Sequence, residues 1–240
     1  MSELLVLLVL TVGELLGCGA TPGQLAQDLE VTLLESMPVA YEELAVTVST
    51  EQDDALSTKD QNGYRVEFYF DDVFLEPMLI DELTITVYGL RQDQSGKLSI
   101  SGLEFAGRIT ADALTSGLRT HVSSFRDANV ELAKSGITLS GKYQTWVADV
   151  PFSVSGTINI KQQTQLIFSI DKSQMVGVSI PAFVNHIVEE EVNPVYDLAA
   201  FAERSKKDIE LVYERLNYHF LLEVEEITPV DGHIIIAGKA

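Results

Sequence analysis

Groups able to do chemistry are present in this chain, but their spacing does not assemble them. The four histidines, His121, His186, His219 and His233, are scattered. Only His186 with Glu190 stands at helical i, i+4 spacing, a lone pair on the polar side of an expected helix and not a zinc-binding set. Asp53 and Asp54 are paired carboxylates of the kind a hard cation uses. No third and fourth oxygen ligand follows at recognisable spacing, so Glu51 to Gly63, with Asp60 and Gln61, reads as a solvated loop. Asp93, Ser95 and Glu104 match positions one, three and twelve of a calcium loop, yet Lys97 stands where a ligand belongs and Leu98 where glycine does. Gln92-Asp93-Gln94-Ser95-Gly96 is therefore expected to be a hairpin turn, its glycine supplying a positive φ. No nucleophile elbow, phosphate loop or dinucleotide fingerprint occurs, and local motifs assign no catalytic residue, metal or cofactor. The chain is not expected to be an enzyme, although a triad dispersed along the sequence would leave no local signature.

Charge narrows the partners. The 36 acidic and 16 basic residues give a net charge of −20, which excludes nucleic acid, because neutralising phosphates needs a basic footprint. The same sign opposes electrostatic docking on an anionic membrane, so any membrane association must be apolar or covalent. The 240 residues, 46% of them hydrophobic, suffice for a sizeable core in one large domain or two small ones. Near the start, Leu4 to Val12 is an apolar run too short to span a bilayer but of the length of a signal-peptide core, and Leu15-Leu16-Gly17-Cys18 follows it like a lipoprotein processing site. Glu3 and Glu14 flank the run and the first basic residue is Lys59, which suits an ordinary amphipathic helix instead. Both readings stay open, with Cys18 as the lipidation candidate in the first. Residues 1–20 are accordingly set apart from a single domain over 21–240.

The elements that would position any site follow from periodicity. Thr21, Pro22 and Gln24 form a capping-box start for a helix with Leu25, Leu29 and Leu33 on one stripe, ending near Met37-Pro38. Glu43 to Thr50 alternates as a half-buried strand. Tyr64, Val66, Phe68 and Phe70 share a face, as do Leu83, Ile85 and Val87, and then Leu98 and Ile100. At Gly102 the alternation slips, because Leu103 and Phe105 take the face of Ser99 and Ser101, and a bulge or bend is expected there. Such bent, one-sided sheets enclose volume. Thr110 caps a helix to about Ser123, with Asp112 in its first turn and the small residues Ala113 and Gly117 beside Leu114 and Leu118. After a polar link come strands at Ser135 to Tyr143, Val150 to Ile160, where Gly156 marks a second bend, and Thr164 to Ile170. Pro181 opens a helix over Ala182 to Val192, closed by Asn193-Pro194. Its Glu189, Glu190 and Glu191 oppose the helix dipole and call for solvent or a basic partner. A short helix over Ser205 to Leu216, a strand from Tyr218 to Ile227, a turn at Pro229-Val230-Asp231-Gly232 and a strand from His233 to Gly238 complete the chain.

Four of these stretches carry a family resemblance over roughly Leu44 to Ala240. Gly107-Arg108-Ile109-Thr110-Ala111-Asp112-Ala113-Leu114, Ile137-Thr138-Leu139-Ser140-Gly141, Asn193-Pro194-Val195-Tyr196-Asp197-Leu198 and Asp231-Gly232-His233-Ile234-Ile235-Ile236-Ala237-Gly238 resemble the LmeA-like phospholipid-binding proteins of bacterial envelopes. The resemblance implies an α+β fold in which a strongly curved antiparallel sheet wraps one or more helices, a lipid-binding half-barrel. It also implies non-catalytic binding of a phospholipid or similar amphiphile at an extracytoplasmic, envelope location, for transfer or for storage, without a cofactor. Groove candidates are Leu114, Leu118, Phe152, Val154, Phe168, Phe183, Val184, Ile187 and Val188, and Arg108 and Arg119 are the candidates for an anionic head group. The same strand pattern equally fits a structural or interaction module whose apolar faces close on themselves.

Overall fold

The computed structural model describes residues 2–16, 21–37, 39–51, 63–75, 78–144, 148–175, 178–179, 189–197 and 222–240. Along them run α1 (Ser2–Leu16), α2 (Pro22–Ser36), β1 (Glu43–Glu51), β2 (Gly63–Leu75), β3 (Met78–Gln92), β4 (Leu98–Ser99), β5 (Gly102–Thr110), α3 (Ala111–His121), β6 (Phe125–Ala133), β7 (Gly136–Gln144), β8 (Asp149–Lys161), β9 (Gln165–Met175), β10 (Val178–Ser179), β11 (Tyr196–Asp197), β12 (Glu223–Val230) and β13 (His233–Lys239). Cys18, Asp53, Asp54, Asp60, Gln61, His186 and His219 lie outside the described residues, as do the expected helix at Ser205 to Leu216 and the first residues of the strand expected from Tyr218.

The expected α+β, strand-dominated antiparallel architecture is present, divided between two open sheets. One has the order β1-β2-β3-β5-β13-β12 with β4 also on β3; the other runs β10-β9-β8-β7-β6 with β11 on β9. The helices form where their local signals say. The Thr21 hydroxyl accepts from Gln24 N, and the Gln24 side chain accepts from Thr21 N in return, so the capping box starts α2 as read. Leu25, Leu29 and Leu33 on α2 are buried together with Leu4, Leu8 and Val12, the matching stripe of α1.

In the first sheet, Val66, Phe68, Phe70, Leu83, Ile85 and Val87 share the buried face, as their alternation predicts. Past Phe70 the buried positions become Val73 and Leu75 on β2, and on β3 they switch between Ile80 and Leu83. Asp72, opposite this switch, has φ +48°. The bend expected at Gly102 lies just before it, where β4 ends and Ser101 N donates to Tyr88 O at 2.9 Å. Facing it, the β2–β3 register shifts between Tyr64 and Val66, and Gly89 adopts φ +59°. A Cβ at Gly89 would sit 2.3 Å from Ser101 Oγ, so the bend needs glycine on both geometric and steric grounds. The Asp93 turn forms as expected, with Gly96 at φ +83°. Gly156 also meets expectation: the β8–β9 register shifts between Ser155 and Gly156, where a Cβ would stand 1.9 Å from Ser169 O.

Three expectations are corrected. The stretch read as a polar link after α3 contains the strand β6, whose Phe125, Ala128, Val130 and Leu132 are buried. A bulge between Arg126 and Asn129, with Asp127 at φ +52°, breaks the alternation and hid this strand from a search for period two. The last hairpin turn is only Asp231-Gly232, because Pro229 and Val230 pair with Ile234 and His233 inside the ladder. Finally, α3 stops at His121 with Val122 as its C-cap, short of Ser123.

Groups distant in sequence bond to backbone atoms of the outer strands β1 and β6. Glu30 of α2 accepts from Val46 N of β1 at 2.9 Å. Along β6, Ala128 O accepts from Arg119 Nε at 2.8 Å and Val130 N donates to Thr115 Oγ1 at 2.9 Å. Farther on, Leu132 O accepts from Gly232 N at 3.0 Å and Lys134 N donates to Asp231 Oδ1 at 3.2 Å. An edge whose hydrogen-bonding groups are already engaged is a poor template for another chain. The β12–β13 turn thereby ties the two sheets together, as does the bond from Val224 N of β12 to Gln163 O between β8 and β9.

Candidate functional site

The inner face of the second sheet is built from alternate residues of β6 to β9, and α3 lies across it because Thr110 fixes where that helix begins. The Thr110 hydroxyl accepts from Ala113 N at 3.2 Å, which caps the helix. The Asp81 carboxylate on β3 accepts from Thr110 N at 2.7 Å and from Thr110 Oγ1 at 3.0 Å, so the cap is anchored to the first sheet. Thr115 and Arg119, one turn apart, then tie the helix to the edge of β6. Leu114 and Leu118 are thereby held over the sheet.

Between them and the sheet lies a pocket of about 40 Å³. Its floor is Val130, Ile137, Leu139, Ile158 and Phe168, its roof Leu114 and Leu118, and its remaining wall Val192 and Val195. Every lining residue is apolar. That wall belongs to residues 189–197, which run along the outer edge of β9. Val195 N donates to Leu166 O at 2.9 Å, and β11 pairs Tyr196 and Asp197 with Leu166 and Gln165. The Asn193 side chain does the work of a strand residue: Oδ1 accepts from Phe168 N at 2.7 Å and Nδ2 donates to Phe168 O at 2.8 Å. Glu189 Oε1 accepts from Ile170 N at 3.0 Å, and Glu191 Oε2 accepts from Ser124 Oγ at 3.1 Å. Glu189 and Glu191 are thus engaged within the chain.

The structure brings three of the sequence-derived groove residues together here, Leu114, Leu118 and Phe168. Phe152 is instead packed on Phe125 at 5.1 Å between ring centroids, and Val154 is fully buried opposite Leu139 in the ladder. Phe183, Val184, Ile187 and Val188 lie outside the described residues. Arg119 is the edge clamp described above. Arg108 pairs with Glu82 at 2.6 Å on the outward face of β5, since its neighbours Gly107 and Ile109 are the buried ones. Val130 was missed because β6 was missed, and the alternation of Val130 and Leu132 with Asn129, Glu131 and Ala133 was its available signal. Val192 and Val195 carried no such signal, because only the strap's path along β9 aims them inward.

Groups with displaced titration sit away from the pocket. Burial, reinforced by Glu82 and Asp71, pushes the Tyr69 phenol up. The hydrogen-bonded pair Asp127 and Lys142, 2.5 Å apart on the surface, holds the carboxyl down and the ammonium up. Hydrogen bonds from Ser95 and Lys97 lower Asp93, whose carboxylate accepts Ser95 N, Ser95 Oγ and Lys97 N at 2.8, 2.6 and 2.9 Å. Among the described residues no three His, Cys, Asp or Glu side chains converge as a metal site would require, and no helix is long and apolar enough to cross a membrane. What the pocket can do chemically is exclude water and hold hydrocarbon. Compared with protein-family models, with curated proteins and with solved structures, the chain matches none.

Proposed function

We propose that this protein binds, without turning it over, the hydrocarbon part of a phospholipid or similar amphiphile at the bacterial cell envelope. The observation that carries the reading is the wholly apolar pocket between α3, the second sheet and the strap at residues 189–197. Burial of each methylene contributes about 0.8 kcal/mol, so a long chain can be held with no specific polar contact. With Arg119 clamped to β6 and Arg108 paired on another sheet, selection rests on the chain and not on the head group. The finer architecture belongs to the same proposal: a strongly curved sheet wrapped about α3 in the manner of LmeA-like proteins, its curvature drawn from the bulges at Gly89, Asp127 and Gly156. So does acylation at Cys18, whose label should vanish in Cys18→Ser.

One observation favours the alternative of a structural or interaction module of the envelope. The pocket's 40 Å³ is far below the roughly 300–1,000 Å³ of ordinary ligand sites. Native mass spectrometry of protein purified without detergent separates the two. Co-purifying phospholipid that survives gel filtration, with uptake of a fluorescent fatty acid that Leu118→Asp reduces, supports binding. A clean apo mass together with refusal of the fatty acid supports the structural module.

A further inference from the structure

We propose that Asp231-Gly232 is a site of spontaneous modification, at which the backbone converts to a β-linked isoaspartyl bond, and that the bonds of the folded turn hold the conversion back. The chemistry needs only this pair of residues and water. The Gly232 amide nitrogen attacks Cγ of the protonated Asp231 carboxyl, and the amide proton leaves with the carboxyl hydroxyl as water, closing a succinimide ring. A second water then opens the ring. Attack at Cγ restores aspartate, whereas attack at the α-carbonyl breaks its bond to nitrogen and leaves the chain running through Cβ and Cγ. The mass is unchanged, and no oxidant or reductant takes part. Glycine suits the attacking position because no side chain shields its nitrogen: a Cβ at Gly232 would meet nothing within 4 Å, and both residues of the turn are exposed.

What the fold adds is a bond on each reacting group. Gly232 N donates to Leu132 O of β6 at 3.0 Å, so the N–H of the nucleophile is already engaged. The carboxylate to be attacked accepts from Lys134 N, in the β6–β7 turn, at 3.2 Å. Gly232 O accepts from Ala111 N, the first residue of α3, at 3.0 Å, which fixes the far side of the same turn. Ring closure must swing the Asp231 carboxyl onto the Gly232 nitrogen, and these bonds oppose that rotation, so local opening precedes reaction. Isoaspartate then places one more backbone atom between Asp231 Cα and Gly232 N. Gly232 is thereby displaced from Leu132 and Ala111, and the modified turn gives up its hold on β6 and on the start of α3.

The test is to age the full chain, folded and in urea, and to count isoaspartate with protein-L-isoaspartate methyltransferase and labelled S-adenosylmethionine, assigning it to residue 231 by electron-transfer fragmentation. Asn62-Gly63, the other pair in the sequence prone to this ring closure, changes mass on deamidation and is thereby told apart. The folded protein should isomerise at Asp231 about tenfold or more slowly than the unfolded chain, as one hydrogen bond's worth of opening requires. Lys134→Pro deletes the N–H given to Asp231, at the first inner position of the Ala133–Gly136 turn, where φ is not positive and proline is accepted. When folded, this variant should isomerise about threefold faster than wild type, with equal rates in urea. The isomerised fraction should exchange the Ala111 N–H faster than the unmodified protein. Absence of isoaspartate at residue 231 in urea would overturn the site, and equal wild-type rates in the two states would overturn the restraint. Unchanged exchange at Ala111 would overturn the release of α3. Should Lys134→Pro fail to fold, the two wild-type rates decide alone.

Discussion

The two sheets share one rule of construction, apolar residues alternating with polar ones, but differ in what is laid against them. Against the first, α1 and α2 contribute Leu4, Leu8, Val12, Leu25, Leu29 and Leu33, all buried with Phe68 and Phe70 in the hydrophobic core. Across the second, α3 offers Leu114 and Leu118 among Ala113, Thr115 and Gly117, and the hollow remains under that smaller face. Alternation decides which side of a sheet is greasy; the volume of the covering layer decides whether that side is filled. A helix whose inner positions are small can lie close to a sheet and still leave space between its few large side chains.

The contrast can be broken most directly by truncation. Phe68→Ala, on the packed face, should lower unfolding free energy by about 3–5 kcal/mol, whereas Leu118→Ala, at the half-buried pocket roof, should cost about 1–2 kcal/mol. Urea unfolding of both variants measures this, and equal losses would mean that the two regions are packed alike. Thr110→Ala comes next, at about 1–2 kcal/mol, because one hydroxyl caps α3 and also meets Asp81. A smaller change with opposite signs sharpens the comparison: Val130→Ile adds a methylene beside the pocket and should stabilise by about 0.5–1 kcal/mol, while Val66→Ile, at a site with no exposed surface, should destabilise by about 1 kcal/mol. The smallest effect lies far from both cores. Because hydrogen bonds hold the Asp93 carboxyl below its ordinary 3.8, its contribution is present above that value and disappears as pH falls through the lowered folded value. The stability gap between wild type and Asp93→Asn, followed by urea unfolding from neutral to acid pH, should therefore close in acid.

Local signals carried much of the fold. The capping box at Thr21, the Thr110 cap, the Asp93 turn and the bends near Gly102 and at Gly156 depend on residues a few positions apart, so they could be read from the chain. β6 escaped because its bulge at Asp127 shifts the pattern by one residue, and because an edge strand with a charged outer face shows only half of a buried strand's apolar signal. The site was legible in part. Leu114, Leu118 and Phe168 followed from the faces of α3 and β9, whereas the strap residues did not, since neither periodicity nor composition says which edge a connecting segment will follow.

By itself, then, the sequence determined which faces are apolar, where helices begin and where strands bend, because those outcomes are settled by neighbours within a turn or a pleat. Only the tertiary structure decided how the edges are closed and where a hollow remains. Lys134 finds Asp231 across 97 positions, Phe168 finds Asn193 across 25, and Thr110 finds Asp81 across 29. Each of those bonds joins groups whose approach depends on the packing of whole elements, and the pocket is the volume that such packing left unfilled.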